Sequence, residues 1–251
     1  MNHISNSMFF GLRASATAAS VFMYLSPLVM IRAIKKAKNT VPHSYWPVLS
    51  AFGNAFLWSF YGLLTGDIVP LFCSNAFGVL LNAYYCSIFW KYEKRRCRTL
   101  TSFVVVGMAL TIVVWETLSN EDEKGAVSNL GFVGMLVCVA MFASPLSTIM
   151  TVLRTKSAKS LPFTIIIANF ITTFLWTAYG LLKDNVYIYG PNGAGLLLAA
   201  VQIQIYRKYR NNSGRNKRKE LDLQQLANPY ENHRFLDSSE DDDDYRKILK
   251  V

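Results

Sequence analysis

The 251-residue sequence is 52% hydrophobic and only 17% charged, which is too apolar for an ordinary soluble domain. A net charge of +10 would favour nucleic-acid binding in a soluble protein, but the Lys and Arg residues lie in short runs between apolar blocks. This pattern argues against a nucleic-acid partner and indicates a polytopic membrane protein that contacts the lipid bilayer.

Seven apolar blocks are long enough to cross the membrane, since a helix needs roughly 20 residues to span about 30 Å of hydrocarbon. The first is longer than the core of a cleavable signal peptide and no small-residue cleavage site follows it, so we expect it to be retained. The predicted spans are Ala14–Ile31, Trp46–Leu64, Ile68–Trp90, Leu100–Leu118, Leu130–Leu153, Pro162–Leu182 and Val186–Tyr206.

The chain contains an internal repeat. The segment Trp58 to Leu64 reads WSFYGLL, and WTAYGLL follows at Trp176 to Leu182, 118 positions later (176 − 58). Several such matches in one order indicate a duplication of three spans, which leaves the fourth span as a connector. The further matches pair Met23 with Met141, Ser26-Pro27-Leu28 with Ser144-Pro145-Leu146, and, after a slip of one residue, Asn75 and Gly78 with Asn192 and Gly195.

Orientation follows from the loops that carry Lys and Arg, since basic residues are retained on the cytoplasmic side. The loops after spans one, three and five are basic, so we predict the amino terminus outside and the carboxyl terminus in the cytoplasm. Because a three-helix unit crosses the membrane an odd number of times, the lone fourth helix restores the direction of the second unit. The predicted fold is all-α: two parallel three-helix bundles joined by a linker helix (3+1+3), with a binding cavity between them.

This organisation divides the chain into four parts. Residues 8–98 form the first repeat, 99–126 the linker helix with an acidic outer loop, 127–210 the second repeat and 211–251 a disordered cytoplasmic tail. In the tail, Ser238 and Ser239 are candidate phosphorylation sites, and Tyr245 begins a tyrosine-x-x-apolar pattern typical of signals for sorting adaptors. Such short patterns also arise by chance, so both stay hypotheses.

The arrangement resembles the SWEET (MtN3/saliva) sugar transporters over roughly residues 8–210. The resemblance implies facilitative, proton-independent sugar transport by alternating access, in which Asn75 and Asn192 contact the substrate and a proline tetrad acts as the hinge. It also implies homo-oligomers. The motifs that carry it are Ser26 to Leu28, Trp58 to Leu64, Cys73 to Asn75, Ala143 to Leu146, Lys159 to Phe163, Trp176 to Leu182 and Pro191 to Gly195, and the four hinge prolines are Pro27, Pro47, Pro145 and Pro162.

The residues also support a sugar site directly. The amides of Asn75 and Asn192 offer donors and acceptors that suit uncharged hydroxyls, although packing between helices is an equally good explanation of intramembrane amides. The rings of Trp58 and Trp176 would stack on the apolar face of a pyranose, against the alternative of interfacial or core packing. Two indoles leave a narrow space, so we expect a monosaccharide such as glucose to be preferred over sucrose.

A gate is expected at the outer end of the predicted cavity. Tyr61 and Tyr179 lie near the outer ends of their helices, and Asp67 and Asp184 lie in the short outer loops. We predict that tyrosine–aspartate hydrogen bonds formed by Tyr61, Tyr179 and Asp184 close the site from outside. The alternative is an interfacial belt of aromatic residues.

Catalysis is not expected, because the spans contain no metal-ligand spacing, no acid–base pair and no nucleophile with a base, and we expect neither a cofactor nor a metal. The predicted spans also contain no Asp, Glu, Lys, Arg or His in their interior, which favours a uniporter over a proton-coupled carrier. Three other classes remain open at this point: a proton-coupled amino-acid carrier of a related repeat family, a seven-helix receptor and a membrane scaffold that transports nothing. The plasma membrane is the first expected location, and a Golgi or endosomal membrane the second.

Overall fold

The computed structural model describes residues 6–227, with side chains described as far as residue 210. Within this part of the chain all regular structure is helical, and seven segments are long and apolar enough to cross a membrane. The predicted all-α class with seven spans is therefore confirmed. The α-helices are α1 (Asn6–Leu25), α2 (Leu28–Ala37), α3 (Trp46–Leu64), α4 (Cys73–Tyr92), α5 (Arg96–Ser119), α6 (Glu123–Met141), α7 (Ala143–Thr155), α8 (Phe163–Leu182) and α9 (Val186–Ala227), with a π-helical turn at Ile68–Phe72 and a 3₁₀ turn at Ala158–Ser160.

The first and fifth spans are each interrupted, at positions that differ by about two residues in the register of the repeat. The first span breaks between α1 and α2 at Ser26-Pro27, where proline has no N–H to donate to the preceding turn. The Ser26 hydroxyl instead donates to the carbonyl of Met23 at 2.8 Å. The fifth span breaks between α6 and α7 at Phe142, and Pro145 lies in the first turn of α7, where the missing N–H costs little.

Two helical hairpins, α3–α4 and α8–α9, are closed by short loops, and we call the end of the protein that holds these loops the hairpin end. Gly62 and Gly180 allow the close packing inside the hairpins. A Cβ atom at Gly62 would lie 2.8 Å from the backbone nitrogen of Phe72, and one at Gly180 would lie 2.6 Å from that of Tyr189. Any side chain at these positions would push the two helices of its hairpin apart.

The two repeats meet through their first and second spans. Helix α1 packs on α8, and α3 packs on α6, while α1 and α3 both pack on α4 within the first repeat. The connector α5 packs on α6 and, more lightly, on α3 and α4. Thr99 is its one buried residue. The side of α5 that packs on these helices is partly buried, and the other side, with Val105, Met108 and Ile112 exposed, is apolar enough to contact lipid.

Several spans are longer than the sequence predicted. Helix α1 begins at Asn6 and not near Ala14, which places Arg13 inside the helix, and the fifth span begins at Glu123 and not at Leu130. Glu116 lies in the last turn of α5. The reason is that a helix satisfies its own backbone groups and continues through the headgroup layer, which hydropathy does not detect.

Helix α9 continues to Ala227, so residues 211–227 are helical where the sequence suggested disorder. This stretch is rich in Arg, Lys, Glu, Leu and Gln, all good helix formers, which outweighs its low hydrophobicity. The tail hypotheses at Ser238, Ser239 and Tyr245 lie outside the described residues.

The described residues form two compact units. One consists of residues 6–147 and 162–203, and the other of residues 148–161 and 204–227. In the second unit the Lys156 ammonium lies over the ring of Tyr209, 5.6 Å from its centroid. The candidate site belongs entirely to the first unit.

Candidate functional site

A cavity of about 210 Å³ lies between the two repeats. Its wall combines two indole rings, four asparagine amides, hydroxyl groups and aliphatic side chains. The lining residues, all of them described, include no Asp, Glu, Lys, Arg or His. They are Ser20, Met23, Tyr24, Asn54, Trp58, Leu71, Asn75, Cys138, Asn169, Thr172, Thr173, Trp176, Ile188 and Asn192.

Both predicted tryptophans line this cavity, and each is anchored by the opposite repeat. The indole N–H of Trp176 donates to the Ser20 hydroxyl at 2.8 Å, and that of Trp58 donates to the Cys138 sulfur at 3.3 Å. Ser20 and Cys138 are themselves equivalent positions (138 − 20 = 118). The two indoles, 6% and 7% exposed, are therefore held in a related way on the two sides of the cavity.

Both predicted asparagines also line the cavity. The Asn75 Nδ2 donates to the carbonyl of Leu71 at 2.9 Å, and the Asn192 Nδ2 donates to the carbonyl of Ile188 at 2.8 Å. Each bond reaches back four residues along its own helix, which fixes the amide without a partner helix. Intramembrane packing through these bonds and substrate contact at the cavity wall are thus compatible roles.

Hydrogen bonds between the repeats close the hairpin end. The Tyr179 hydroxyl donates to the Asp67 carboxylate at 2.6 and 2.8 Å, and both side chains are buried. The Asn185 amide donates to the Tyr61 hydroxyl at 2.8 Å. Asp67 and Asn185 are equivalent positions (185 − 67 = 118), so the two bonds are related by the repeat. Asp184 is exposed, and its gate role stays a prediction.

Aromatic rings fill the space between this closure and the cavity. Trp58 meets Tyr61 edge to face at 5.5 Å, and Trp176 meets Tyr179 in the same way at 5.7 Å. Phe9 stacks on the far side of Tyr179 at 6.0 Å. Such edge-to-face pairs are favoured by the ring quadrupoles. Each pair lies on one helix, α3 or α8, with its tyrosine at the closure and its tryptophan at the cavity.

Arg13 ties the beginning of α1 to the hairpin end. Its guanidinium donates two hydrogen bonds to the carbonyl of Val69 and lies 5.8 Å from the centroid of the Phe9 ring. Lys183 lies 4.0 Å from the Asp67 carboxylate, at the edge of contact for an ion pair. The charged groups of this region therefore surround the closure and lie outside the cavity lining.

The four predicted hinge prolines all lie at helix breaks or helix starts. Pro27 lies between α1 and α2, and Pro145 lies in the first turn of α7. Pro47 is in the first turn of α3, and Pro162 precedes α8. Their role as hinges is a proposal, considered below.

Sequence reasoning missed several polar residues of the cavity, namely Ser20, Asn54, Cys138 and Asn169, and it missed Asn185 in the closure. Two signals were available. Uncharged polar residues inside apolar spans mark the face that does not contact lipid. The 118-residue offset that relates Tyr61 to Tyr179 also relates Asp67 to Asn185 and not to Asp184.

The groups that line this cavity are suited to binding an uncharged ligand. Four amides, several hydroxyls and two indoles can bind a neutral polyol through hydrogen bonds and ring contacts. Across the described part of the chain, no three His, Cys, Asp or Glu side chains come together to hold a metal ion.

Seven spans, a duplicated three-helix unit and a central uncharged cavity between the repeats define a multi-pass membrane carrier. Residues 10–97 and 128–214 match the MtN3_slv family, described as "Sugar efflux transporter for intercellular exchange". The chain belongs to this family, which is one of transporters and not a class of enzyme.

Named relatives agree with this assignment. The chain is 31% identical to "Bidirectional sugar transporter SWEET17" of Arabidopsis thaliana, over 76% of this chain and 81% of that protein. It is 31% identical to "Sugar transporter SWEET1" of Dictyostelium discoideum, over 77% of this chain and 90% of that protein. The resemblance predicted from the sequence motifs is confirmed.

A solved structure of a eukaryotic SWEET transporter superimposes with a TM-score of 0.73 at 27% identity, covering 80% of this chain and 96% of the other. The 3+1+3 fold is thus shared with a transporter of this family. These comparisons support neither the amino-acid carrier nor the receptor as an alternative.

Proposed function

We propose that this protein is a facilitative, proton-independent sugar transporter that prefers monosaccharides such as glucose and works by alternating access. The observation that carries the proposal is the central cavity, whose polar lining is entirely made of uncharged amides, hydroxyls and a thiol beside two indoles. Coupling to protons normally needs a titratable group at mid-membrane, and such a group is conspicuous because it is costly there. The names of the relatives support sugar as the substrate class.

The size of the cavity supports a monosaccharide. At about 210 Å³ it is smaller than the 300–1,000 Å³ typical of pockets for drug-sized ligands. A single sugar ring between the two indoles matches such a space better than two linked rings. Substrates would bind through Asn75, Asn192, Trp58 and Trp176.

Closure of the hairpin end supports an alternating-access cycle. We assign this end to the extracellular side, because the basic loops of the opposite end predict a cytoplasmic location. The bonds Tyr179–Asp67 and Tyr61–Asn185 would then be the outer gate, and the structure would represent a state closed to the outside. For this end to open, both bonds must break and the tyrosine–tryptophan pair of one repeat must move away from that of the other.

The prolines supply the bending points for this motion. Pro27 lies at the break of the first span and Pro145 lies just after the break of the fifth, and a broken helix bends more easily than a continuous one. Pro47 and Pro162 lie at the starts of the helices that carry the tryptophans. We expect Pro145→Ala to express normally and to lower sugar flux, and uptake equal to that of the wild type would contradict this role.

Counterflow of labelled hexose in proteoliposomes tests the proposed function. We expect glucose counterflow that is unchanged by a protonophore or by an imposed pH gradient, and weaker counterflow of sucrose. Equal transport of the two sugars would contradict the monosaccharide preference. Accumulation driven by a proton gradient would contradict uniport.

Three further features belong to the proposal. We place the protein in the plasma membrane first and in a Golgi or endosomal membrane second. Homo-oligomers are expected from the family resemblance, and sorting adaptor proteins are expected to bind the cytoplasmic tail. Cross-linking in native membranes and imaging of the tagged full-length chain test these assignments.

A further inference from the structure

Among the four asparagines that line the cavity, Asn75 and Asn192 occupy equivalent positions, yet of these two only Asn75 has an amide oxygen that accepts a hydrogen bond from the described part of the protein. The Oδ1 of Asn75 accepts a hydrogen bond from the Tyr24 hydroxyl at 2.8 Å, and its Nδ2 donates to the Leu71 carbonyl at 2.9 Å. Asn75 is 7% exposed. Both polar atoms of this amide therefore have protein partners before any ligand arrives.

Asn192 differs in one respect. Its Nδ2 makes the matching bond, to the Ile188 carbonyl at 2.8 Å, but the position equivalent to Tyr24 is Phe142 (142 − 24 = 118), which has no hydroxyl. Within the described residues, no donor contacts the Oδ1 of Asn192, and the side chain is only partly buried.

The difference is confined to that hydroxyl, because the two rings occupy equivalent places. The ring of Tyr24 occupies the place that a Cβ atom on Gly78 would need. The ring of Phe142 lies 3.3 Å from the place of a Cβ atom on Gly195, the equivalent glycine. Absence of a side chain at both glycines lets each ring lie flat against the last helix of its repeat. One oxygen atom thus separates an occupied amide from an available one.

We propose that the sugar is held asymmetrically, with Asn192 as the principal amide, and that Tyr24 determines specificity by occupying the acceptor of Asn75. The Asn75 oxygen has two lone pairs, so a sugar hydroxyl that bonded to it would share this acceptor with the Tyr24 hydroxyl. Sharing weakens each bond, and displacing the phenol would cost it the hydrogen bond that it makes in this structure, so the Asn75 oxygen is a poorer acceptor for sugar than the Asn192 oxygen. The site therefore forms hydrogen bonds with fewer sugar hydroxyls than a symmetric pair of asparagines would. This inference rests on the proposed function.

A panel of deoxyglucoses tests the asymmetry by measuring KM and kcat for counterflow in proteoliposomes. For the wild-type protein, loss of one particular hydroxyl should raise KM about ten-fold, as expected for one hydrogen bond, and loss of the others should change it less than about three-fold. In Tyr24→Phe a second hydroxyl should become important, and the KM for glucose should fall several-fold. A purely structural role for Tyr24 would lower kcat or expression and would not change which hydroxyls matter.

Three further variants sharpen the test. Phe142→Tyr adds a hydroxyl beside Asn192 and should raise the KM for glucose. Asn192→Ala should raise KM about ten-fold and Asn75→Ala less than about three-fold. Tyr84→Phe is the matched control, since Tyr84 is 42% exposed and its hydroxyl lies 3.4 Å from the Lys35 ammonium, so its KM should not change.

The outcomes separate the two proposals. In one outcome the wild-type protein shows glucose counterflow while Asn75→Ala and Asn192→Ala raise KM equally, or while Tyr24→Phe leaves unchanged the set of hydroxyls that affect KM. Either result overturns the asymmetry and does not contradict sugar transport. Absence of any hexose counterflow by the wild-type protein overturns the proposed function, and the asymmetry with it.

Discussion

The two repeats of this protein share a frame but differ in the chemistry they bring to it. The hairpin glycines Gly62 and Gly180 and the indoles of Trp58 and Trp176 occupy matching places in both. The polar partners do not match. Ser20 corresponds to Cys138 in the second repeat, Asp67 to Asn185 and Tyr24 to Phe142. Backbone contacts therefore impose the symmetry, and side chains at the cavity and the closure depart from it.

The difference teaches which contacts the fold requires. A glycine against a neighbouring backbone leaves no room for any side chain, so both repeats keep it. A hydrogen-bond partner can change from hydroxyl to thiol, or from carboxylate to amide, while the same two positions stay in contact, although the length or the direction of the bond changes. These exchanges tune the strength of each bond, which is how the two halves of one transporter become unequal.

The largest expected effect concerns what the repeats share. Gly62→Ala and Gly180→Ala should each destabilise the protein by about 3 kcal/mol or more, because the new Cβ would collide with a backbone nitrogen. Thermal stability in detergent, read by the monodisperse fraction after heating, measures this. Gly107→Ala on α5 is the control, since no atom lies within 4 Å of its added Cβ. If the hairpin variants were as stable as that control, the shared frame would not depend on these glycines.

The next largest effect separates the two bonds of the closure. Tyr179 donates to a carboxylate and Tyr61 accepts from a neutral amide, and bonds to charged groups contribute about 1.5–3 kcal/mol against about 0.5–1.5 kcal/mol for neutral ones. We expect Asp67→Ala to open the hairpin end about ten-fold more often than Asn185→Ala.

Labelling of Cys138 in the cavity by a membrane-impermeant maleimide measures this opening. The background should replace the exposed Cys73 and Cys97 with serine, and the reagent should reach the hairpin end only. Equal labelling rates in Asp67→Ala and Asn185→Ala would show that the carboxylate adds nothing to the closure.

A smaller effect separates the two indole anchors. Oxygen is a stronger hydrogen-bond acceptor than sulfur, and the Trp176–Ser20 bond at 2.8 Å is shorter than the Trp58–Cys138 bond at 3.3 Å. Ser20→Ala should therefore lower the free energy of unfolding by about 1 kcal/mol, and Cys138→Ala by a few tenths. Melting temperatures of both variants in the same detergent check this, and a larger loss in Cys138→Ala would reverse the ranking.

The smallest effect concerns a pair that only the first repeat contains. The Thr40 hydroxyl donates to the Glu93 carboxylate at 2.8 Å and lowers the pKa of Glu93 below its ordinary value. The equivalent positions hold Ala158 and Arg210. An acid with a lowered pKa stabilises the fold above its ordinary pKa of about 4.3, and that contribution is lost as the pH falls through the lowered value.

Thr40→Val removes the donor, so the variant should be slightly less stable than the wild type at pH 7. The difference between them should shrink as the pH is lowered below about 4. Melting temperatures across this range measure it. A constant difference at every pH would assign the loss to packing at Thr40 and not to the hydrogen bond.

Much of the fold was predictable because its signals are long and redundant. Apolar blocks must be helical in lipid, where every backbone group needs an internal partner, so span number follows from composition. The repeat predicted Trp58, Trp176, Asn75 and Asn192 as cavity candidates, and all four line the cavity. Helix ends were predicted poorly, since α1 begins at Asn6 and α9 reaches Ala227, because hydropathy reports the hydrocarbon layer and not helix length. The division of the chain into repeats and tail stays a prediction.

The linear order of residues was enough for the class of fold, the duplication and the neutral character of the site, since each depends on residue type and spacing. The hydrogen-bond partners could not be predicted from it. Only the tertiary structure decided that the Tyr24 hydroxyl bonds to Asn75, that Cys138 bonds to Trp58, and that Asn185 and not Asp184 bonds to Tyr61. A hydrogen bond needs its two atoms about 3 Å apart at a suitable angle, and groups that lie 51 to 124 residues apart in the chain reach that geometry only after packing.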